Sequence, residues 1–164
     1  MKVPYTNFKT FVDKEWKEID TEEIFADKKI IVFAIDGAFT SDLNDRQIQA
    51  YDKAYEQFKS NGIDGVYCVS VNDTFVMNAW FDKLGIKNIK PLGDGEGVFT
   101  QGIGMLVNKP RQGFGMRSWR YSMIVDKGEV IKKFEEPGKN NASDDGDPLE
   151  VSDADTMIKH LKDD

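Results

Sequence analysis

Residues 29–44 read K-I-I-V-F-A-I-D-G-A-F-T-S-D-L-N, and this stretch joins an apolar run to the start of a helical pattern. The run at 29–35 is continuous, β-branched and aromatic, which is typical of a strand buried on both faces of a sheet. Thr40 or Ser41 can cap the following helix, with Asp42 in its first turn. The stretch therefore predicts a strand, a tight turn and a helix N-terminus, a place that stabilises negative charge.

The same order recurs further along the chain. Apolar residues spaced by three and four predict one helix that ends at Gly62. Residues 63–71 predict a second buried strand, and Asn72 or Asp73 can cap a second helix that ends at Gly85. Alternating strands and helices favour parallel strands joined by right-handed crossovers.

The second half of the chain has a different pattern. Residues 119–125 and 129–134 flank a D-K-G turn and predict an antiparallel hairpin. A capping-box-like spacing that begins at Ser152 predicts a C-terminal helix. The order is similar to a thioredoxin-like layout, so we expect an α/β fold with a central mixed β-sheet and helices on both faces. We expect residues 1–164 to form one domain, with residues 1–25 at its edge.

Composition narrows the classes of function. The chain has 164 residues and a net charge of −7, and an acidic surface repels phosphate backbones, so nucleic-acid binding is not expected. The apolar runs are too short to span a bilayer, and the N-terminus has no secretory h-region, so the expected location is the cytoplasm. Neither a metal site nor a cofactor is predicted.

The chain has one cysteine, Cys68, and one histidine, His160. A single cysteine excludes an intramolecular disulfide and a cysteine-rich zinc site. Cys68 lies in the middle of a predicted buried strand, where a thiol is inert, so a packing role is favoured. His160 lies in the last turn of the final helix, where it can meet the helix dipole.

Three further groups have simple structural interpretations. The glycine-rich segment 93–97, G-D-G-E-G, does not match a dinucleotide fingerprint and predicts a turn. The acidic group Asp144, Asp145 and Asp147 lacks the spacing of an EF-hand and predicts a solvated loop. A basic group is interpreted as a solvated loop with one or two ion pairs; its members are Lys109, Arg111, Arg117 and Arg120.

Arg120 is the most informative member of the basic group. It lies between aromatic residues in the strand pattern W-R-Y-S-M-I-V, and a buried arginine needs an anionic or polar partner. The partner is either an internal carboxylate or a bound anion, and periodicity does not decide between them.

Four segments together carry a resemblance to a known family: V-F-A-I-D-G-A-F-T at 32–40, C-V-S-V-N-D-T-F-V-M-N-A-W at 68–80, G-F-G-M-R-S-W-R-Y-S-M-I-V at 113–125 and E-V-S-D-A-D-T-M-I at 150–158. The chain resembles the type-five peroxiredoxins, the bacterial and plant type-II-like group of the thioredoxin-like superfamily. The resemblance covers residues 3 to 162, without the fused glutaredoxin domain that some members carry.

In that family the active turn reads P-x-x-x-T-x-x-C, and its thiolate attacks the peroxide O–O bond to give a sulfenic acid. The resemblance implies that Thr40 and Arg120 correspond to the threonine and arginine that orient the peroxide. Leu43 stands at the position of the peroxidatic cysteine, and Asp36 stands at the position of the shielding proline.

Two further positions depart from the family pattern: Ser41 replaces a second proline and Gln47 replaces a histidine that is usual there. The remodelled pocket then contains Asp36, Ser41 and Asp42. We expect either that Asp36 or Asp42 pairs with Arg120 inside the old peroxide pocket, or that both carboxylates face solvent. Leu43 should be at least partly buried.

Leucine cannot form a sulfenic acid, so the resemblance implies a pseudo-peroxiredoxin that acts by binding, as a homodimer or as a heterodimer with an active relative. Candidate surface residues for such pairing are Phe39, Phe75, Met77, Trp80 and Phe114. The alternatives are a thiol peroxidase that uses Cys68, and a protein that binds a small anion or peroxide-like ligand through Thr40 and Arg120.

Overall fold

The computed structural model describes residues 1–141 and 148–163, so the acidic group at 144, 145 and 147 lies outside the described residues. The strands are β1 (Asn7–Val12), β2 (Glu15–Asp20), β3 (Lys29–Ala34), β4 (Gly65–Ser70), β5 (Lys90–Gly93), β6 (Leu106–Lys109), β7 (Gly115–Ser118), β8 (Tyr121–Asp126) and β9 (Glu129–Glu135). The helices are α1 (Thr21–Phe25), α2 (Asp42–Lys53), α3 (Tyr55–Ser60), α4 (Thr74–Leu84), α5 (Val98–Gly102) and α6 (Ala154–Lys162).

A five-stranded mixed sheet in the order β5-β4-β3-β8-β9 forms the centre of the molecule. Strands β3, β4 and β5 are parallel, whereas β8 and β9 are antiparallel to their neighbours. The parallel crossovers and the late hairpin are those that the sequence predicts. Because β3 and β4 run in the same direction, the connections to α2 and α4 leave from the same edge of the sheet.

Alternate side chains of β3 enter two different cores. Ile31 and Phe33 pack with residues of α2, α4 and α6, such as Tyr51. Ile30 and Val32 pack on the other face with residues of the N-terminal segment and of α5. Both faces of the sheet are therefore covered, which confirms the predicted α/β architecture with its thioredoxin-like layout.

The structure differs from the sequence-based predictions in three places. The first helix divides into α2 and α3 at Ala54, where ψ is −1° and the α2 pattern ends. The C-terminal helix is capped by Asp153, whose side chain accepts from the Thr156 N–H, because the Ser152 hydroxyl donates instead to Glu136. Residues 1–25 form the β1–β2 hairpin and α1, neither of which the sequence predicted.

The predicted ends of α4 are confirmed. Of the two candidate caps, Asp73 is the N-cap, and Gly85 ends the helix with a left-handed φ of 66°. Within the described part of the chain, the helices are too short or too polar to cross a membrane.

Candidate functional site

The connection between β3 and α2 contains the candidate site. Ser41 is the N-cap of α2, and its hydroxyl accepts a hydrogen bond from the Asn44 N–H at 3.2 Å. The turn is also attached to the neighbouring strand, because the Ala38 N–H donates to Asn72 Oδ1 at 3.0 Å. The Ser70 hydroxyl donates to the same oxygen at 2.6 Å, which fixes Asn72 in place.

A buried amide organises the interior of this turn. Asn44 has no exposed surface, and its Nδ2 donates to Asp36 Oδ1 at 2.7 Å, to Thr40 Oγ1 at 2.9 Å and to the Gly37 carbonyl at 3.0 Å. The Thr40 hydroxyl in turn donates to the Gly37 carbonyl at 2.6 Å. Thr40 is therefore both an acceptor and a donor inside the turn. Asn44 was not among the predicted site residues, although it lies within the quoted stretch.

Arg120 is 1% exposed and belongs to a second polar network. Its Nη1 donates to Gln47 Oε1, and Gln47 Nε2 donates to the Ser152 carbonyl at 3.3 Å. The Tyr51 hydroxyl donates to the same carbonyl at 2.7 Å. Glu136, which has no exposed surface, accepts from both the N–H and the hydroxyl of Ser152. The network connects the guanidinium to the segment before α6.

The expected ion pair of Arg120 with Asp36 or Asp42 is not found among the ion pairs of the described residues. Asp36 is 7% exposed, but its carboxylate is held by Asn44 and Thr40. Asp42 is exposed in the first turn of α2, where it favours the helix dipole. The alternative that both carboxylates face solvent is therefore right for Asp42 and wrong for Asp36, which is buried and accepts hydrogen bonds from neutral groups.

A second arginine approaches the turn from β7. Arg117 Nη1 donates to the Asp36 carbonyl at 3.4 Å, and its guanidinium lies 5.0 Å from the centre of the Phe114 ring. A Cβ added at Gly37 would lie 2.5 Å from Arg117 Nη1, at the movable end of a long side chain, and 2.7 Å from Cγ2 of the short Thr40 side chain, so any larger residue would displace its neighbours in the turn. The sequence gives no signal for this contact, because Arg117 and Gly37 are far apart along the chain.

The basic group was interpreted as a solvated loop with one or two ion pairs, and two of its members are buried rather than solvated. Arg120 and Lys109 are 1% and 2% exposed, and the Lys109 ammonium lies 5.0 Å from the centre of the Trp119 ring. Both cations lie in or beside strands whose neighbours are aromatic, and burial of the strands carries these side chains inside.

The two positions that decide the chemistry differ sharply in environment. Leu43 is the second residue of α2 and is half-buried, as expected. Cys68 lies in β4 with no exposed surface, as predicted for a packing residue. Burial raises the pKa of the Cys68 thiol well above its usual range, and the opposing effect of Arg120 is smaller. The thiolate, which is the nucleophilic form, is therefore disfavoured.

The candidate pairing surface is only partly exposed. Phe39 and Phe75 are each 50% exposed, but Met77 and Trp80 are 0% and 1% exposed, so their assignment to a surface is wrong. Met77 and Trp80 are three residues apart on the face of α4 that packs on the sheet, where Trp80 Nε1 also donates to Asp45 Oδ1. Phe114 is half-buried beneath Arg117.

Phe39 also has an unusual backbone conformation. Its φ is 65°, a left-handed value that is strained for a bulky residue. Such strain persists only where the surrounding structure fixes it, and it concentrates at functional sites. The turn therefore combines a strained residue with a buried polar network.

The remaining candidates have structural roles. Segment 93–97 is a turn, as predicted, and the buried Asp94 carboxylate accepts from the N–H groups of Phe99 and Thr100 at the start of α5. His160 lies on α6 with its ring 5.5 Å from that of Phe134, in an edge-on arrangement.

Sequence comparison agrees with the fold. A model of the redoxin family matches residues 1–158, so the chain belongs to the redoxin family. It is 48% identical over 160 residues to a hybrid peroxiredoxin of Haemophilus influenzae, covering 98% of this chain and 64% of that protein. It therefore spans less than two thirds of that relative. A peroxiredoxin of Synechocystis is 44% identical over 172 residues, covering 98% of this chain and 89% of the relative.

Solved structures give the same assignment. A 1-Cys peroxiredoxin of Plasmodium falciparum, described as an antioxidant protein, superposes with a TM-score of 0.93 at 32% identity, over 100% of this chain and 99% of that one. A reduced peroxiredoxin of Vibrio vulnificus in complex with hydrogen peroxide gives a TM-score of 0.87 at 32% identity, over 98% and 96%. The resemblance to peroxiredoxins, including plant type-II-like and bacterial ones, is confirmed.

Proposed function

We propose that this protein is a pseudo-peroxiredoxin, which does not reduce hydroperoxides by the thiol route and acts by binding. The observation that carries the proposal is Leu43 at the second position of α2, where the family resemblance expects the reactive cysteine. A leucine side chain has no lone pair with which to attack an O–O bond. It therefore forms neither a sulfenic acid nor a disulfide.

The hydrogen bonds around the turn support the same proposal. Thr40 and Arg120 correspond to the two residues that orient the peroxide in the family, and both already have protein partners here. Thr40 is engaged by Asn44 and Gly37, and Arg120 donates to Gln47. A ligand at this position would have to replace bonds that the protein makes to itself.

The alternative enzyme would use Cys68, and burial argues against it. A thiol with no exposed surface and a raised pKa is a poor nucleophile towards a peroxide in water. We expect a thiol reagent to modify Cys68 only after the protein is denatured. Rapid modification of the native protein, with loss of any peroxide turnover that is present, would favour the Cys68 route instead.

The decisive experiment places a cysteine at each of two helix N-termini. In a Cys68→Ala background, Leu43→Cys introduces a thiol at the second position of α2. Phe75→Cys introduces one at the second position of α4 and is the matched control, because both positions lie near a helix N-terminus. Peroxide consumption with a thiol reductant and mass spectrometry of trapped sulfenic acid are measured for all variants and for the wild type.

We expect no turnover above the buffer rate for the wild type. Leu43→Cys should form sulfenic acid at least about tenfold faster than Phe75→Cys, because only the α2 turn retains the threonine and arginine positions of the family. Wild-type turnover would refute the proposal. Equal rates for the two cysteines would show that the α2 turn has lost its activating environment as well as its thiol.

We further propose that the bound partner is a second copy of this chain or an active peroxiredoxin relative, since homologous peroxiredoxins are often dimeric. Phe39 and Phe75 are the exposed aromatic residues that would take part. Sedimentation should show a dimer that Phe39→Asp weakens, whereas Ile131→Asp, at an equally exposed apolar residue on β9, should have no effect. A monomer at high concentration, alone and with such a relative, would contradict this part.

Two further expectations remain predictions. The first is that a small anion binds at Thr40 and Arg120, which requires the network to open because Arg120 is 1% exposed. A thermal-shift screen with carboxylates tests it, because a ligand of the folded state raises the melting temperature. The cytoplasmic location is tested by cell fractionation.

A further inference from the structure

A cavity of about 420 Å³ lies away from the β3–α2 turn, between the β1–β2 hairpin, the start of α4 and the glycine-rich turn at 93–97. This volume lies within the range of small-molecule sites. Three large apolar side chains at the cavity are well exposed: Trp16 at 63%, Phe75 at 50% and Val98 at 48%. Apolar side chains around a cavity are a common feature of ligand sites.

The aromatic wall of the cavity is held in place. The rings of Trp16 and Phe75 lie 5.4 Å apart at 89°, so each supports the other. The hairpin that carries Trp16 is attached to α4 through Phe11, whose N–H donates to Thr74 Oγ1 at 3.3 Å and whose carbonyl accepts from Asn78 at 3.0 Å. The wall is therefore formed before a ligand arrives.

The charge around the cavity is negative. Asp73, Asp94 and Glu96 line it. Asp73 and Asp94 accept hydrogen bonds at the starts of α4 and α5, and Glu96 is the exposed carboxylate in the glycine-rich turn. The one lysine among the lining residues, Lys9, has its ammonium 2.5 Å from Glu18, which offsets its charge. On the inner wall Thr6 is 6% exposed, and its hydroxyl has no hydrogen-bond partner among the described residues.

We propose that this cavity binds a small organic cation, an ammonium or guanidinium group carried on an apolar body. Aromatic rings attract such cations through their quadrupoles, and carboxylates attract them through charge. The net charge of −7 adds a favourable field at longer range. The same chemistry is offered by a free amine and by the amino terminus of a peptide, and the experiment separates these two sources.

The test uses three probes with the same phenyl body: phenethylammonium, 2-phenylethanol and phenylacetate. Trp16 is the exposed tryptophan, whereas Trp80 and Trp119 are 1% and 2% exposed, so a change in fluorescence reports on the cavity. We expect saturable binding of phenethylammonium, at least about tenfold tighter than that of the neutral alcohol, and the weakest binding for the anion. Calorimetry at low ionic strength checks the affinities.

Two variants locate the site. Glu96→Gln should weaken phenethylammonium binding several-fold, and Trp16→Ala should remove most of it, while both remain folded because the side chains are exposed. Glu56→Gln, at an exposed glutamate on α3, is the matched control and should change nothing. Phe75 also belongs to the proposed pairing surface, so the titrations use a protein concentration at which sedimentation gives the monomer.

Three results would overturn the proposal: equal affinity for the ammonium and the alcohol, no saturation at millimolar phenethylammonium, or unchanged binding by Trp16→Ala in calorimetry. A further arm compares phenethylammonium with the tripeptide amide Phe-Gly-Gly. Tighter binding of either compound supports the proposal and identifies the source as a free amine or as a peptide terminus.

Discussion

Two connections leave the same edge of the sheet, and they solve the same structural problem differently. The β4–α4 connection occupies residues 71–73, whereas the β3–α2 connection occupies residues 35–41. Each ends at a side chain that caps its helix, since Asp73 accepts from the Val76 N–H and Ser41 accepts from the Asn44 N–H. A short connection with one cap is therefore enough to join a strand to a helix here.

The longer connection contains features that joining a strand to a helix does not require. It places Phe39 at a φ of 65° and buries Asp36 with an amide that donates three hydrogen bonds. A left-handed bulky residue and a buried carboxylate both cost stability, so the longer connection depends on its surrounding hydrogen bonds to keep this geometry. The three predictions that follow test whether the two connections differ in energy as they do in geometry.

The largest effect is expected for the buried amide. Asn44→Ala removes an amide group that donates to three acceptors, and it leaves the Asp36 carboxylate, which is 7% exposed, without that donor. We expect a loss of about 3 kcal/mol in the free energy of unfolding, measured with urea. A buried acceptor that loses its donor keeps the full cost of its desolvation, and this cost is larger for a charged group.

Asn78→Ala is the control for this prediction. Asn78 lies on α4 and is half-buried. Its Nδ2 donates one hydrogen bond, to the Phe11 carbonyl. Its loss should cost about 1 kcal/mol. If Asn44→Ala costs no more than Asn78→Ala, the buried network does not hold the β3–α2 turn.

The helix caps should give effects of intermediate size. Here the larger loss of stability is expected at the β4–α4 connection. Asp73→Ala removes a hydrogen bond of 2.9 Å and a negative charge at the α4 dipole, for a total of about 2 kcal/mol. Ser41→Ala removes a longer bond of 3.2 Å from a neutral cap, for about 1 kcal/mol. Urea unfolding checks both values, and Asp73→Asn should recover most of the loss because asparagine also caps well.

The sequence predicts those parts of this comparison that are local. The order of strands and helices along the chain depends on neighbouring residues, so local propensity was sufficient to predict it. For each of the two helices it offered two candidate caps, of which Ser41 and Asp73 form. The bond from Arg120 to Gln47 was missed, because Gln47 lies on another element and only the packing of α2 brings it close. Met77 and Trp80 were assigned to the wrong face of α4, since the face that meets the sheet is decided by tertiary packing.

The smallest effect should differ in sign between the two connections. Phe39 and Phe75 are equally exposed, but only Phe39 has a left-handed backbone. Phe39→Asn relieves about 1 kcal/mol of strain, because asparagine adopts this conformation readily, and loses about 0.5 kcal/mol from the contact with Lys83. The net result should be a gain of about 0.5 kcal/mol in the free energy of unfolding.

Phe75→Asn is the comparison at the other connection. It has no strain to relieve and loses ring contacts with Phe11 and Trp16, so it should cost about 0.5 kcal/mol or more. Unfolding curves at a concentration that gives a single species separate the two signs, and a loss for both variants would mean that the Phe39 ring stabilises the turn despite its backbone.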